Sequence, residues 1–187
     1  MTDLATTEAE KYAKVWADDR YRRISPGMME APRAAAAMSC MPGDTLNDYG
    51  CGTGRATKWW EEYESLYVTG IDHARNALET DVVFISACLW EMGWVPEADY
   101  GFCCDVMEHI PPEKVDAVLS NIADRTLKQT WFRIALKPDS MGPLLLGTPL
   151  HLTIQPYEWW QAKLQEYWTA VDLVEVTAGY GVWLCSA

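Results

Sequence analysis

The segment LNDYGCGTG, from Leu46 to Gly54, carries an apolar run into an Asp-x-Gly-x-Gly-x-Gly pattern. Glycines at alternate positions take positive φ and carry no Cβ, so a ligand can lie directly on the main chain. A strand that turns into a helix around such a loop describes a nucleotide site. Dinucleotide sites use a glycine loop as well, but with Gly-x-Gly-x-x-Gly spacing and an acidic residue roughly twenty positions later. Here the spacing is Gly-x-Gly-x-Gly. One carboxylate, Asp48, stands before the loop, and a second, Asp72, follows the next apolar run. A carboxylate at that edge can accept hydrogen bonds from both ribose hydroxyls, each contributing roughly 1.5–3 kcal/mol.

A second group of chemistry-bearing residues is Asp105, Glu108 and His109, which follow the strand-like run YGFCC. Offsets of three and four within one helical turn direct all three side chains to the same side. His151 lies in a later loop, between Leu150 and Leu152. Imidazole titrates near neutral pH, so His109 or His151 suits proton removal. Either fits packing or loop anchoring equally well.

The elements that must position these groups alternate along the chain. Residues 8–24 carry Tyr12, Val15, Trp16 and Tyr21 at helix-like intervals, Ser25-Pro26-Gly27 breaks the pattern, and a second helix runs from Met28 to Met38. After a turn at 41–44, strands are expected at 45–48, 67–71, 82–87, 100–104 and 131–136. Helices are expected at 55–66, near 75–78 and 90–92, and at 112–127, where proline occupies the first turn. A long loop, Lys137–Pro156, precedes a helix at 157–167 and a hairpin of strands at 171–177 and 181–185. Strand–helix alternation at this spacing means parallel βαβ units. The expected fold is therefore α/β: a Rossmann-like, seven-stranded, mostly parallel sheet with helices on both faces and a C-terminal antiparallel strand. One domain would span 1–187, with 1–40 as a helical lid on a core at 41–187.

Composition narrows the partners. A net charge of −12 repels polyanions, and the one basic cluster, Arg20–Arg23, follows Asp18 and Asp19 and reads as a solvated helix end. Nucleic acid is disfavoured as a partner. The N-terminal run lacks a secretory leader, no stretch reaches the ~18 apolar residues of a membrane span, and the six cysteines read as reduced thiols of a cytoplasmic protein. Ten tryptophans are many for this length. Trp16, Trp90, Trp94, Trp159 and Trp160 fall where they could wall a pocket mouth, although core packing explains any one of them. The loop of about twenty residues at 137–156 is longer than most compact-domain connections and signals an acceptor site.

Three motifs in order, LNDYGCGTG, VTGIDHA and YGFCCDVMEHIP, resemble those of the class I S-adenosylmethionine-dependent methyltransferases over about residues 44–137. The resemblance implies that Gly50, Cys51 and Gly52 approach the methionine moiety, with Asp48 ordering that end and Gly54 completing the loop. Asp72 would bind the ribose, His73 would border the adenine, and Asp105 would close the cofactor site. The family often places an acidic residue after strand three for the adenine amine. This chain reads Ser86-Ala87-Cys88-Leu89, so Cys88 and Leu89 would serve through backbone and apolar contacts. Tyr12, Trp16, Tyr21 and Arg22 would fold over the cofactor. Some O-methyltransferases hold a divalent cation with a similar acidic-x-x-Glu-His segment and a histidine after strand five. That resemblance makes Asp105, Glu108, His109 and His151 a candidate metal set, in which a cation would acidify a coordinated hydroxyl. The implied activity is methyl transfer to a small acceptor, with oxygen favoured over nitrogen or carbon. Aminopropyl transfer, a non-catalytic nucleotide-binding protein and a nucleic-acid methyltransferase are the alternatives.

Overall fold

The computed structural model describes residues 3–187; the first two, part of the run read for a leader, lie outside the described residues. Strand β1 (Thr45–Tyr49) is buried from Leu46 to Tyr49, as a central parallel strand covered on both faces must be. It pairs in parallel with β2 (Tyr67–Asp72) and β4 (Ala98–Cys104). With β3 (Phe84–Ser86), β5 (Thr126–Ala135), β6 (Ala170–Val176) and β7 (Tyr180–Ser186) the sheet order is β3-β2-β1-β4-β5-β7-β6. Only β7 runs against its neighbours. The strand order reverses between β1 and β4, which leaves a crevice above their carboxyl ends.

Side-chain alternation along each strand divides the core in two. Phe102, Trp131 and Val182 face one layer, while the next residues, Cys103, Phe132 and Trp183, face the other. The first layer receives Ala31, Ala34 and Met38 of α3 (Pro26–Met38) and Trp60 of α4 (Arg55–Tyr63). The second receives Val118, Leu119 and Ile122 of α5 (Val115–Ala123) and Trp160 and Leu164 of α7 (Tyr157–Leu164). These apolar positions recur three and four apart, which is why each segment buries one helical stripe. A smaller cluster seats Tyr12 and Val15 of α1 (Leu4–Val15) on Ala74, Ala77 and Leu150, directly above the crevice.

Several elements differ from the sequence expectation for identifiable reasons. The helical run at 8–24 is two helices, because the Asp18 side chain accepts the Arg20 N–H and starts α2 (Asp19–Arg22) afresh. The break between helices falls just before the expected place, since Ser25 is the N-cap of α3 and Pro26 and Gly27 already form its first turn, which proline suits. The long helix expected at 112–127 ends at Ala123, and β5 starts at Thr126, five residues earlier than expected. The 137–156 loop contains a short helix, α6 (Met141–Leu146). Trp94 is 63% exposed and Trp160 is fully buried in the core, so the pair Trp159-Trp160 packs beneath the sheet instead of at a pocket mouth. Among the described residues no helix is long and apolar enough to cross a membrane.

A chain of charge, largely buried at Arg133 and Glu30 and exposed at Arg33, ties α3 to the sheet. Arg133 on β5 pairs with Asp105 on one side and reaches Glu30 of α3 at 3.6 Å on the other, its guanidinium 4.1 Å from the Tyr180 ring centroid. Arg33 extends the chain, at 3.2 Å from Glu30 and 2.9 Å from Glu175 of β6. Removing the central cation strands the Asp105 carboxylate and leaves Glu30 only Arg33. Arg133→Met is therefore expected to destabilise the protein by about 3–5 kcal/mol, read as a lower urea midpoint at unchanged slope.

Candidate active site

The glycine loop folds back because both Gly50 and Cys51 donate their N–H groups to the carbonyl of Ile71, at 2.7 and 3.1 Å. Gly50 and Gly52 have φ of 76° and 52°, where a side chain is strained. Space forbids one as well. A Cβ on Gly50 would run into the Val106 side chain, and one on Gly52 would stand 2.9 Å from the Trp16 indole. Gly54 starts α4 in the left-handed conformation and lines neither cavity described below. Asp72, at the end of β2, accepts the Gly52 N–H at 3.0 Å and the Ala74 N–H at 2.8 Å. Each oxygen keeps a second lone pair for a ligand hydroxyl.

Beneath the loop, Asp48 is 3% exposed and accepts the Thr57 hydroxyl at 2.6 Å. Burial pushes its carboxyl up to about 7; the Thr57 bond opposes the shift and the Asp72 charge adds to it. Asp48 thus shapes the loop from below and reaches its ligand face only at the cavity floor.

Two adjoining chambers occupy the crevice. The inner one lies between Asp72, His73, Leu89 and Trp90 of the sheet edge and Glu8 and Tyr12 of α1. The outer one is walled by Ile24, Pro26, Phe102, Met141, Leu150 and His151. Trp16, Tyr21, Gly50, Asp105 and His109 border both. The Trp16 and Tyr21 rings meet edge to face at 4.7 Å and form the roof over the junction.

The far wall holds the histidines. His109 Nδ1 lies 2.8 Å from the Tyr12 hydroxyl and 3.2 Å from the Leu150 carbonyl, while His151 Nδ1 lies 2.7 Å from the Lys137 carbonyl. The rings are perpendicular at 4.7 Å. A carbonyl accepts only, so Nδ1 of each imidazole carries the proton and Nε2 keeps its lone pair. Enclosure by protein pushes His109 down to about 3, with His151 adding to the shift, which keeps this ring neutral. Burial likewise lowers His73, against the pull of Asp72. Asp139 organises the loop that carries His151, accepting the N–H groups of Gly142, Leu150 (2.8 Å) and His151 (3.1 Å).

Of the four candidate metal ligands the fold brings three together. Glu108, His109 and His151 each offer an atom within 4.8 Å of the others. Both Glu108 oxygens are buried without a hydrogen-bond partner, and its burial, reinforced by Asp105, raises its pKa. An orphaned carboxylate beside two imidazoles anchored through Nδ1 fits a divalent cation. Asp105 does not fit. Its φ is 54° and its carboxylate is taken by Arg133.

Other expected residues separate similarly. Leu89 lines the inner chamber and Cys88 does not. Arg22, expected over the cofactor, instead donates to the carbonyls of Asn76 and Ala77 and pairs with Glu79, pinning the lid to the turn after β2. Sequence reasoning missed Glu8, Asp139 and Arg133. Asp139, just before a Ser-Met-Gly turn, had a local capping signal; Glu8 sits in an Ala-Glu run that reads like any solvated helix face.

No protein-family model matches the chain, and the comparison with curated proteins finds no match. Solved structures do share its fold. Magnesium protoporphyrin IX methyltransferase from Synechocystis PCC 6803, with bound S-adenosylmethionine, aligns at TM-score 0.67 and 15% identity over 100% of this chain and 98% of its own. The Burkholderia thailandensis 1,6-didemethyltoxoflavin-N1-methyltransferase, with its namesake ligand and S-adenosylhomocysteine bound, aligns at 0.71 and 14%, covering 97% and 88%. The [4+2]-cyclase SpnF aligns at 0.65 and 13%, covering 84% and 79%. The fold is therefore that of the class I S-adenosylmethionine-dependent methyltransferases, and it also carries an enzyme named for ring formation.

The raised Asp48 carboxyl has a measurable consequence. Its folded value, about 7, exceeds the ordinary 3.8, so its contribution to stability is complete below the ordinary value and is lost as pH rises through 7. Asp48→Asn, which keeps an acceptor for Thr57, removes that loss. Thermal melts are expected to show the variant gaining on the native protein between pH 5 and pH 8.5.

Proposed function

We propose that the protein binds S-adenosylmethionine with its adenosine in the inner chamber and its methionine end along the glycine loop where the chambers meet, and transfers its methyl group to a hydroxyl of a small acceptor in the outer one. The observation that carries this reading is the meeting of two chambers at Gly50, with the free Asp72 lone pairs on one side and the imidazole pair on the other. Asp72 would take the ribose hydroxyls, His73 would border the adenine, and the backbone at Gly50, Cys51 and Gly52 would meet the methionine end. Trp16 and Tyr21 would close over the sulfonium, where aromatic faces favour a cation.

In the step itself an acceptor oxygen attacks the methyl carbon with a lone pair, the carbon–sulfur bond breaks, and sulfur keeps that electron pair as a thioether. The hydroxyl proton must leave. His151 would receive it at Nε2, while neutral His109, held by Tyr12 and Leu150, orients the acceptor. Alignment within a closed crevice supplies much of the acceleration.

The acceptor class follows from what the outer chamber leaves free. Its walls are largely apolar, Asp105 is neutralised by Arg133, and Asp139 is spent on three backbone amides. A small uncharged or cationic molecule with a hydroxyl matches those walls, and the net charge of −12 opposes a polyanion. The orphaned Glu108 carboxylate favours a second reading. A divalent cation held by Glu108, His109 and His151 would acidify the acceptor hydroxyl.

S-adenosylhomocysteine is expected to raise the melting temperature of the native protein and to lose that effect in Asp72→Ala. With radiolabelled S-adenosylmethionine and a library of hydroxyl-bearing acceptors, His151→Ala should lower kcat by roughly 10²–10⁴ with S-adenosylhomocysteine binding intact. Turnover that survives a chelator would exclude the cation. Tight cofactor binding without transfer to any acceptor would instead favour a non-catalytic role.

A further inference from the structure

We propose that Glu8, on the lid helix α1, is the residue that recognises the exocyclic amine of adenine; this rests on the cofactor reading above and deepens it. An adenine edge presents an amine donor beside a ring-nitrogen acceptor, so a site that selects this base needs an acceptor facing the amine. The usual supplier, the segment after β3, has none: Ser86–Leu89 lacks a carboxylate, and the first acid beyond it, Glu91, is exposed. The inner chamber supplies few other acceptors. Asp72 faces the glycine loop, where Gly52 and Ala74 already hold it, and the Tyr12 hydroxyl is engaged by His109.

Glu8 remains. It is 8% exposed and lines the same chamber as Asp72, His73, Leu89 and Trp90. One helical turn separates it from Tyr12, whose ring stands 5.3 Å from that of His73, so Glu8 and Tyr12 present one face to the base. Its charge is close enough to both to bear on their ionisation. Lys11, at i+3, holds Oε2 in an ion pair, and Oε1 accepts no hydrogen bond from the described residues. A buried carboxylate on the chamber wall, with one oxygen in an ion pair and no hydrogen bond to the other among the described residues, is a built acceptor. It also places the lid in contact with the base, so the lid would close on the adenine and not only on the methionine end.

Inosine tests this directly, because it replaces the amine by a carbonyl and reverses the adjacent ring position from acceptor to donor. Dissociation constants of S-adenosylhomocysteine and S-inosylhomocysteine would be measured by calorimetry on the full chain. The native protein is expected to prefer the adenosyl ligand by about ten-fold or more. Glu8→Ala should collapse that ratio to within about two- to three-fold, since the lone acceptor is gone. Glu8→Gln, isosteric and able to turn its amide toward either base, should do the same, and ligand-free melts of this variant verify the fold. A ratio unchanged in both variants would overturn the role of Glu8, because lid anchoring alone cannot distinguish an amine from a carbonyl. Equal affinity of the native protein for the two ligands would overturn it too. If S-adenosylhomocysteine fails to bind the native protein, the cofactor reading itself falls.

Discussion

Missing Cβ atoms at Gly50 and Gly52 are the constraint on which the rest of the site depends. With the loop at positive φ, its amides turn back to Ile71 and onto Asp72, and its upper surface stays flat enough for Val106 and Trp16 to approach. A side chain at Gly52 would push Trp16 and the lid off the crevice, and one at Gly50 would displace Val106 beyond β4. The sheet beneath supplies the rigidity this loop needs, since β1 is buried on both faces and paired on both edges.

Charge is handled differently at each depth of the crevice. Asp48 lies too deep to be solvated, and its proton affinity rises accordingly. Asp72, half-buried at the edge, is met by two backbone N–H groups. Asp105 meets a guanidinium that also reaches Glu30, so the wall of the site and the anchor of α3 share one cation. Glu108 is the exception, buried beside the imidazole pair with neither oxygen bonded.

The N-terminal helices contribute more than a cover. Tyr12 holds His109, Trp16 rests over Gly52, and Arg22 clamps the turn after β2. Motion of this segment would therefore alter the orientation of His109 and the shape of both chambers together.

Periodicity and the glycine pattern made the α/β fold, the strand succession and the positions of Asp48, Asp72 and His109 legible in the sequence, because each rests on local rules: side-chain period, turn chemistry, and the backbone freedom of glycine. Helix ends were less legible. The break at Asp18 and the early start of β5 at Thr126 depend on which neighbour a side chain or strand finds. The partners of charged groups were not legible at all. Asp105 reads as a ligand beside Glu108 and His109 until Arg133, twenty-eight residues away, claims it, and Glu8 reads as a solvated helix face until α1 folds over the inner chamber. Sequence by itself determined the scaffold and the glycine loop. Tertiary structure decided which titratable groups remain free to act, since that depends on contacts between segments far apart in the chain.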